Sequence, residues 1–557
     1  MSDQTWQRPA AGREPAAAAL LAWLADPAAP RMCLVTGSAG CGKSALLAWL
    51  VAHGSRPGTP TERRVHAVAP LHGIGPYGAV WDLAQQLGTA ARTPGELIAA
   101  LAADQRPTTI VLPDLDHSAD PAAMSELVLA LANLQHLRLL AEVTHGSPQA
   151  ALLSTRAPAV MNLDHTQWTD TARLAAWQAD HPAAPAQHPQ TPDVAIDLDD
   201  LAHVVGADPM TVTTQYETSP TDHAGLRTAW LRAGQSLSNE PHPATRALIL
   251  QTALGDSADP RLADQLTELA ADAPWSLVWS RVSGDIRPPW PGPVRALAAG
   301  NYALDGAVLL ADHQGVVRIV NAADAAPQGR LPRPFPSIHT LALLPGGAVL
   351  TLNSQGHLDT QHSPAAPKPT GIRALLDDGA SPAELLLDTV RAYLTRQPGQ
   401  IIAASGTLLA SADSAGRVHA LALDHTPARP QVATLHSTPV TALAVMDVTT
   451  SDGADPLPLV YSGGTDGQIR VWSPGHEPLP TPVATREVPV SALAAAEVDG
   501  EPILAIAWMD GLVEHHSLSS GTVHPLRPGP PVHALALTTT GSLIVGTDEM
   551  VACLRPR

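Results

Sequence analysis

The stretch "RMCLVTGSAGCGKSALLAWLVAH" (residues 31–53) decides how the first part of this chain folds. Its apolar opening, "RMCLVTG" (31–37), ends in glycine and reads as a buried strand, while "KSALLAWLVAH" (43–53) reads as an amphipathic helix. Between them, "GSAGCGKS" (37–44) fits G-x-x-x-x-G-K-[ST], in the strand–turn–helix setting that gives this pattern its meaning. Glycines let the main chain wrap closely around phosphate oxygens, and the free N–H groups at a helix start attract an anion. The pattern assigns Gly37, Ser38, Ala39, Gly40, Cys41, Gly42, Lys43, Ser44 and Ala45 to a phosphate cradle. Lys43 would reach the β- and γ-phosphates and Ser44 would ligate Mg²⁺, so ATP or ADP with Mg²⁺ is the expected ligand. Cys41 stands at a variable position of the loop, as a redox switch or as a bystander.

Outward from this core, "TTIVL" (108–112) is a second buried strand. "HLRLLAEVT" (136–144) is a third, after the helix "AAMSELVLALANL" (122–134). Strands alternating with helices over residues 1–160 imply a parallel sheet covered on both faces, an α/β domain. "IVLPDLDHS" (110–118) runs an apolar strand into Asp114 and Asp116, which looks like the magnesium-binding edge of a nucleotide site. Pro113, however, holds the first place after the strand, and the two acids also read as solvated groups of a strand-to-loop turn.

Residues 161–272 change character, with helical segments such as "HAGLRTAWLRAGQSL" (223–237) and "PATRALILQTAL" (243–254), and a proline-rich loop or linker at 181–193. They read as a small helical, winged-helix-like domain. From 273 to 557 short strands and Gly-containing turns recur in six units, with turn glycines Gly315, Gly356, Gly416, Gly467 and Gly511 at intervals of 41, 60, 51 and 44 residues. That spacing matches one four-stranded propeller blade plus insertions. Each unit is preceded by a strand that begins with a β-branched residue: "VRALA" (294), "IHTLA" (338), "VRAYL" (390), "VTALA" (440), "VSALA" (490) and "VHALA" (532). The sixth unit has room for three strands only, so "WSLVWSRVS" (275–283) is expected to supply its fourth and close the ring, which favours six blades over seven. In "GGTDGQIRVW", Asp466 is expected to brace the turn, and Trp168, Trp275, Trp279, Trp290 and Trp472 read as packing residues.

Composition narrows the function classes. A chain of 557 residues is long enough for two or three cores, and 45% hydrophobic against 15% charged residues is a globular rather than a disordered profile. A net charge of −19 without a Lys/Arg-rich run is a poor match for nucleic acid or anionic lipid. Cys33, Cys41 and Cys553 are too few and too scattered for a disulfide framework or a zinc site, and suit a reducing cytoplasm. The N-terminus has no signal-peptide pattern, and the longest apolar run near it, "AAAALLAWLA" (16–25), is half of what a membrane span needs. The 24 histidines are dispersed without a metal-binding spacing, and no serine has a G-x-S-x-G context.

"VTGSAGCGKSALLAWLV", preceded by "GRE" (12–14), resembles the start of a STAND-class P-loop NTPase of the NACHT/NB-ARC-like signalling group, and a propeller after a helical module resembles its bacterial branch. The likeness is specific at residues 12–50 and in the repeats, and otherwise one of layout. It implies that Gly12 and Arg13 line the base pocket. It aligns Pro113 with the group's magnesium-binding Asp and His117 with its water-positioning acid, while Leu115-Asp116 keeps the "LD" of its motif. A one-residue slip would let Asp114 serve Mg²⁺. Thr144 and His145 stand where an Arg that senses the γ-phosphate is expected, and no G-x-P occurs between 160 and 272. Asp114, Asp116 and His117 are thus the candidates around the γ-phosphate, the phosphate cradle is intact, and hydrolysis is expected to be slow or absent.

Two functions compete. One is a nucleotide switch whose propeller senses or docks a protein partner, with nucleotide-dependent self-association and an effector supplied in trans. The other is a scaffold whose nucleotide site is a relic. An ordinary metabolic ATPase or kinase lacks a catalytic acid and a substrate-pocket signature.

Overall fold

A computed structural model describes residues 12–180, 196–286, 289–290, 292–345, 347–362, 388, 390–393, 395, 399–423, 430–449 and 456–557. The proline-rich stretch 181–193 lies outside them. The chain divides into two compact units, Met1–Thr221 and Asp222–Arg557.

In the first unit, β1 (Met32–Thr36), β2 (Ala67–Val68), β3 (Thr108–Leu112), β4 (Leu137–Glu142) and β5 (Ala159–Asn162) form an all-parallel sheet in the order β2-β3-β4-β1-β5. Every residue of β1 and β3 is buried, as strands covered on both faces require. The helices α1 (Glu14–Ala25), α2 (Lys43–Gly54), α3 (Pro76–Gln86), α4 (Pro94–Ala103), α5 (Pro121–Leu131) and α6 (Pro148–Ser154) alternate with the strands. The starts of α4, α5 and α6 follow local chemistry. Proline opens each, and Thr93, Asp120 and Ser147 accept the orphan amides of Glu96, Ala123 and Ala150.

After β1 the chain leaves toward β2 on one side; after β4 it crosses to β5 on the other. Connections that part in this way open a crevice above the carboxyl ends of β1 and β4, the place where open parallel sheets accept ligands.

The helical region read over 161–272 falls on both sides of the division between units. Helices α7 (Thr171–Asp180), α8 (Leu201–Gly206) and α9 (Pro209–Thr218) belong to the first unit, where α9 packs on α3 and Glu217 accepts the Tyr77 amide at 2.6 Å. Helices α10 (Leu226–Ala233), α11 (Gln235–Ser238), α12 (Pro243–Ala253) and α13 (Pro260–Leu269) belong to the second, where α12 packs on β6 (Trp275–Val282).

The rest of the second unit is a six-bladed β-propeller. The four-stranded blades run through 294–330, 401–434, 440–485 and 490–526, and blade 2 has three described strands over 338–362. Blade 6 takes Val532–Leu537, Leu543–Thr547 and Met550–Pro556 from the end of the chain, and β6 pairs antiparallel with the last of these from Trp275↔Pro556 to Val282↔Met550. The expected closure is therefore present, and it pairs the edge that the last strand of the chain would otherwise leave open.

The recurring turn glycines share one backbone need. Gly467 has φ +69°, and a Cβ there would lie 1.9 Å from the Arg486 carbonyl oxygen, so only glycine fits without a shift. Asp466 accepts the Gln468 amide in the same turn, and it holds the buried His436, whose other ring nitrogen meets Ser462 Oγ at 2.9 Å. The bracing role read for Asp466 is visible in these bonds. Trp275, Trp279, Trp290 and Trp472 are buried in the propeller.

One strand needs correction. Residues 390–393, within "VRAYL", are helical, and the inner strand of blade 3 is Ile401–Ala404. Val390 and Tyr393, three apart, both face the cluster formed by Leu350, Leu352, Ile402 and Leu409. A β-branched residue followed by apolar ones buries one helix face as well as one strand face, so the pattern alone is ambiguous here.

Candidate nucleotide site

The carboxyl edge of the parallel sheet gathers the residues singled out above. Gly42 stands immediately before α2 with φ +93°, a conformation that turns the loop sharply into the helix. Lys43 and Ser44 are the first residues of α2. Lys43 is buried, its Nζ donating to the carbonyl oxygens of Gly37 at 3.3 Å and Ser38 at 3.1 Å. The ammonium is thus held within the turn formed by residues 37–42. Ala39 and Gly40 lie in that turn, and Ala45 follows Ser44 in the helix.

Gly12 and Arg13 lie against the loop and the chain after β5. The Gly12 carbonyl accepts the Asp170 amide at 2.8 Å. The Arg13 guanidinium donates to the Leu163 carbonyl at 2.9 Å, to Thr169 Oγ1 and to the Cys41 carbonyl. Arg13 thereby ties the phosphate-loop candidate to the end of the sheet.

Asp164 is a neighbour that motif reading did not flag. Its carboxylate accepts the Ser38 amide at 2.8 Å and the Ser38 hydroxyl at 2.8 Å. The Ser38 amide, then its hydroxyl, holds the Asp164 carboxyl below its ordinary range. The Cys41 thiol is pushed up, chiefly by burial and also by Asp164, although Lys43 and Arg13 pull the other way. It is not tuned toward the reactive thiolate.

The acidic motif divides. Asp114, at φ +62°, receives His72 Nδ1 on one oxygen at 2.8 Å and His117 Nδ1 on the other at 2.6 Å. Ligand atoms of these three side chains lie within 4.8 Å of one another. The carboxylate of Asp116 accepts the Thr144 amide, lacing the end of β3 to that of β4. Ser44 meets neither aspartate. Its Oγ donates at 2.9 Å to Oε1 of Glu142, the last residue of β4, which lies in register beside Val35 of β1.

Glu142 is the residue that sequence reasoning missed. Only 4% of it is exposed, and among the described residues its second oxygen has no hydrogen-bond partner. Burial pushes its carboxyl up, against the pull of Ser44, Lys43 and the Asp114 main-chain amide, while the charge of the Asp114 carboxylate adds to the rise. Thr36 Oγ1, at the end of β1, and Asp116 Oδ1, in the turn after β3, are further buried polar atoms without a partner among the described residues. Buried polar groups are ordinarily satisfied, so these oxygens are open to water or a ligand. The available signal was a lone acid ending the apolar strand "HLRLLAEVT".

Neither a protein-family model nor a curated protein matches the chain. No helix among the described residues is long and apolar enough to cross a membrane.

Proposed function

We propose that this chain is a nucleotide-binding regulator of the STAND type, holding ATP or ADP with Mg²⁺ in its first unit and docking a protein partner on its propeller. The observation that carries the reading is the placement of Lys43 and Ser44 at the start of α2, directly above the crevice between β1 and β4. Amides at the helix start would bind the phosphates, Lys43 would turn from its own loop carbonyls to the β- and γ-oxygens, and Ser44 would offer a hydroxyl oxygen to the cation. Bound Mg²⁺ would neutralise phosphate charge. Glu142 and Ser44 offer hard oxygen donors of the kind this cation takes.

Slow or absent turnover is the reading that the neighbours of Asp114 and His117 support, with Glu142 taken up by Ser44 and the cation. A general base must reach the attacking water. Asp114 is engaged by two imidazoles, His117 by Asp114, and one oxygen of Asp116 by the Thr144 amide. Binding without rapid hydrolysis suits a switch, because the bound nucleotide then persists long enough to bias one state of the protein over another.

A scaffold with a relic site is the second reading. It is favoured by Asp164, an anion that already satisfies the Ser38 amide without phosphate. Light scattering of the full chain with ADP, with ATP and without nucleotide separates the two. A switch changes its mass between nucleotide states and loses that change in Lys43→Ala; a scaffold keeps one mass throughout.

A further inference from the structure

We infer that Glu142 is the carboxylate that serves the divalent cation at Ser44, in the place that Pro113 leaves without an acid at the end of β3. The inference rests on the nucleotide reading above.

Hydrogen-bond direction is the first argument. A serine hydroxyl has one proton, and Ser44 gives it to Glu142 Oε1 at 2.9 Å. Its lone pairs are then free for a cation. Glu142 thus orients the ligand oxygen as well as adding charge, as carboxylates beside metal ligands do.

The fold also leaves a buried acid without a countercharge. A buried carboxylate is costly unless it is paired. Glu142 has only neutral donors, the Ser44 hydroxyl on Oε1 and the Asp114 main-chain amide beside the carboxylate, and no ion pair among the described residues. Lys43, the nearby cation, is bonded to loop carbonyls instead. A divalent cation between the Ser44 hydroxyl and the phosphates would supply the missing countercharge to Oε2, directly or through a water of its shell. A hydroxyl and a carboxylate suit Mg²⁺ or Mn²⁺ better than a soft metal.

The third argument is that the alternative acid is occupied. Both carboxylate oxygens of Asp114 have imidazole partners, at 2.8 and 2.6 Å, so engaging the cation would mean breaking one of these bonds. Since β4 lies between β3 and β1, an acid at its end is nearer the loop in sheet order than any acid at the end of β3.

The test uses the full chain, with ADP as nucleotide and Mn²⁺ as an observable cation. Free Mn²⁺ is followed by electron paramagnetic resonance during titration of protein and ADP, and ADP affinity is measured separately in EDTA. The expected result is that Glu142→Gln weakens Mn²⁺ binding by about tenfold to a hundredfold while ADP affinity in EDTA stays at the wild-type value. Asp114→Asn should hold Mn²⁺ as the wild type does. Glu142→Asp, which retains the charge, should recover part of the loss, and it carries the test if the Gln variant does not fold. Wild-type Mn²⁺ affinity in both Glu142 variants, or an equal loss in Asp114→Asn, would overturn the inference and leave the nucleotide site standing. A wild-type protein that binds no ADP with or without cation would remove the nucleotide reading itself, and Glu142's role with it.

Discussion

Two buried acids, one in each unit, show how differently this molecule treats charge. Asp510, in the fifth blade, is held by Arg486 at 2.9 Å and Arg527 at 3.0 Å. Burial alone would raise its carboxyl, but the two guanidinium groups outweigh burial and leave it below the ordinary range. Glu142 is equally buried but has only neutral donors, the Ser44 hydroxyl and the Asp114 main-chain amide, and its carboxyl is pushed up. At Asp510 the propeller completes a buried charge internally. At the sheet edge Glu142 has no ion pair among the described residues, and under the proposed function that difference separates an acid that stabilises a fold from one that would take a cation.

The comparison can be broken most forcefully at Asp510. Asp510→Asn would leave two partly buried guanidinium groups without their countercharge, and the expected cost is about 3 kcal/mol in denaturant unfolding followed by tryptophan fluorescence. A loss no larger than that of a surface substitution would mean that the arginines find other partners. Gly467→Ala tests the same blade system through its backbone. A left-handed φ and a carbonyl in the Cβ position should together cost about 2 kcal/mol by the same assay.

Glu142 should behave in the opposite sense. With its carboxyl raised in the folded, ligand-free protein, the folded state holds the proton more tightly than the unfolded chain does. Its stabilising contribution is present below the unfolded value of 4.5 and is lost as pH rises through the folded value. Glu142→Gln should therefore match or exceed wild-type stability at neutral pH without ligand and show a flatter decline from acid to neutral pH. A variant clearly less stable than wild type at neutral pH would place Glu142 with Asp510 as a structural charge. The smallest expected effect concerns the thiols. Burial raises Cys33 to about 12 and Cys553 to about 11, and it also raises Cys41. Colorimetric thiol titration of the native protein at pH 7.5 should find slow reaction at Cys41 and none at the other two; a fast Cys41 would revive a redox role for the loop.

How much was legible in the sequence followed the range of the interactions involved. Strand, glycine loop and helix at 31–54 are set by neighbours in sequence, and the strand and the helix are where the sequence places them. The blades announced themselves because each turn needs glycine at one backbone position, and the closing strand could be found by counting strands. "VRAYL" misled because a helix and a strand can bury the same short pattern. The acidic site was least legible. Asp114 meets His72 across 42 residues, and Ser44 meets Glu142 across 98, pairings that no local spacing encodes. A lone glutamate ending an apolar strand looks like any strand terminus until the neighbouring strand is known to carry the glycine loop.

The central claim, that the first unit holds a nucleotide, is tested most directly by releasing bound small molecules from purified protein with heat and identifying them by chromatography, beside Lys43→Ala. Stoichiometric ADP or ATP in the wild type, lost in the variant, is the predicted result, and ATP recovered intact would fit the engaged Asp114 and His117. A wild-type protein that releases no nucleotide and fails to bind added ATP would contradict the account, leaving a propeller scaffold with a vestigial loop.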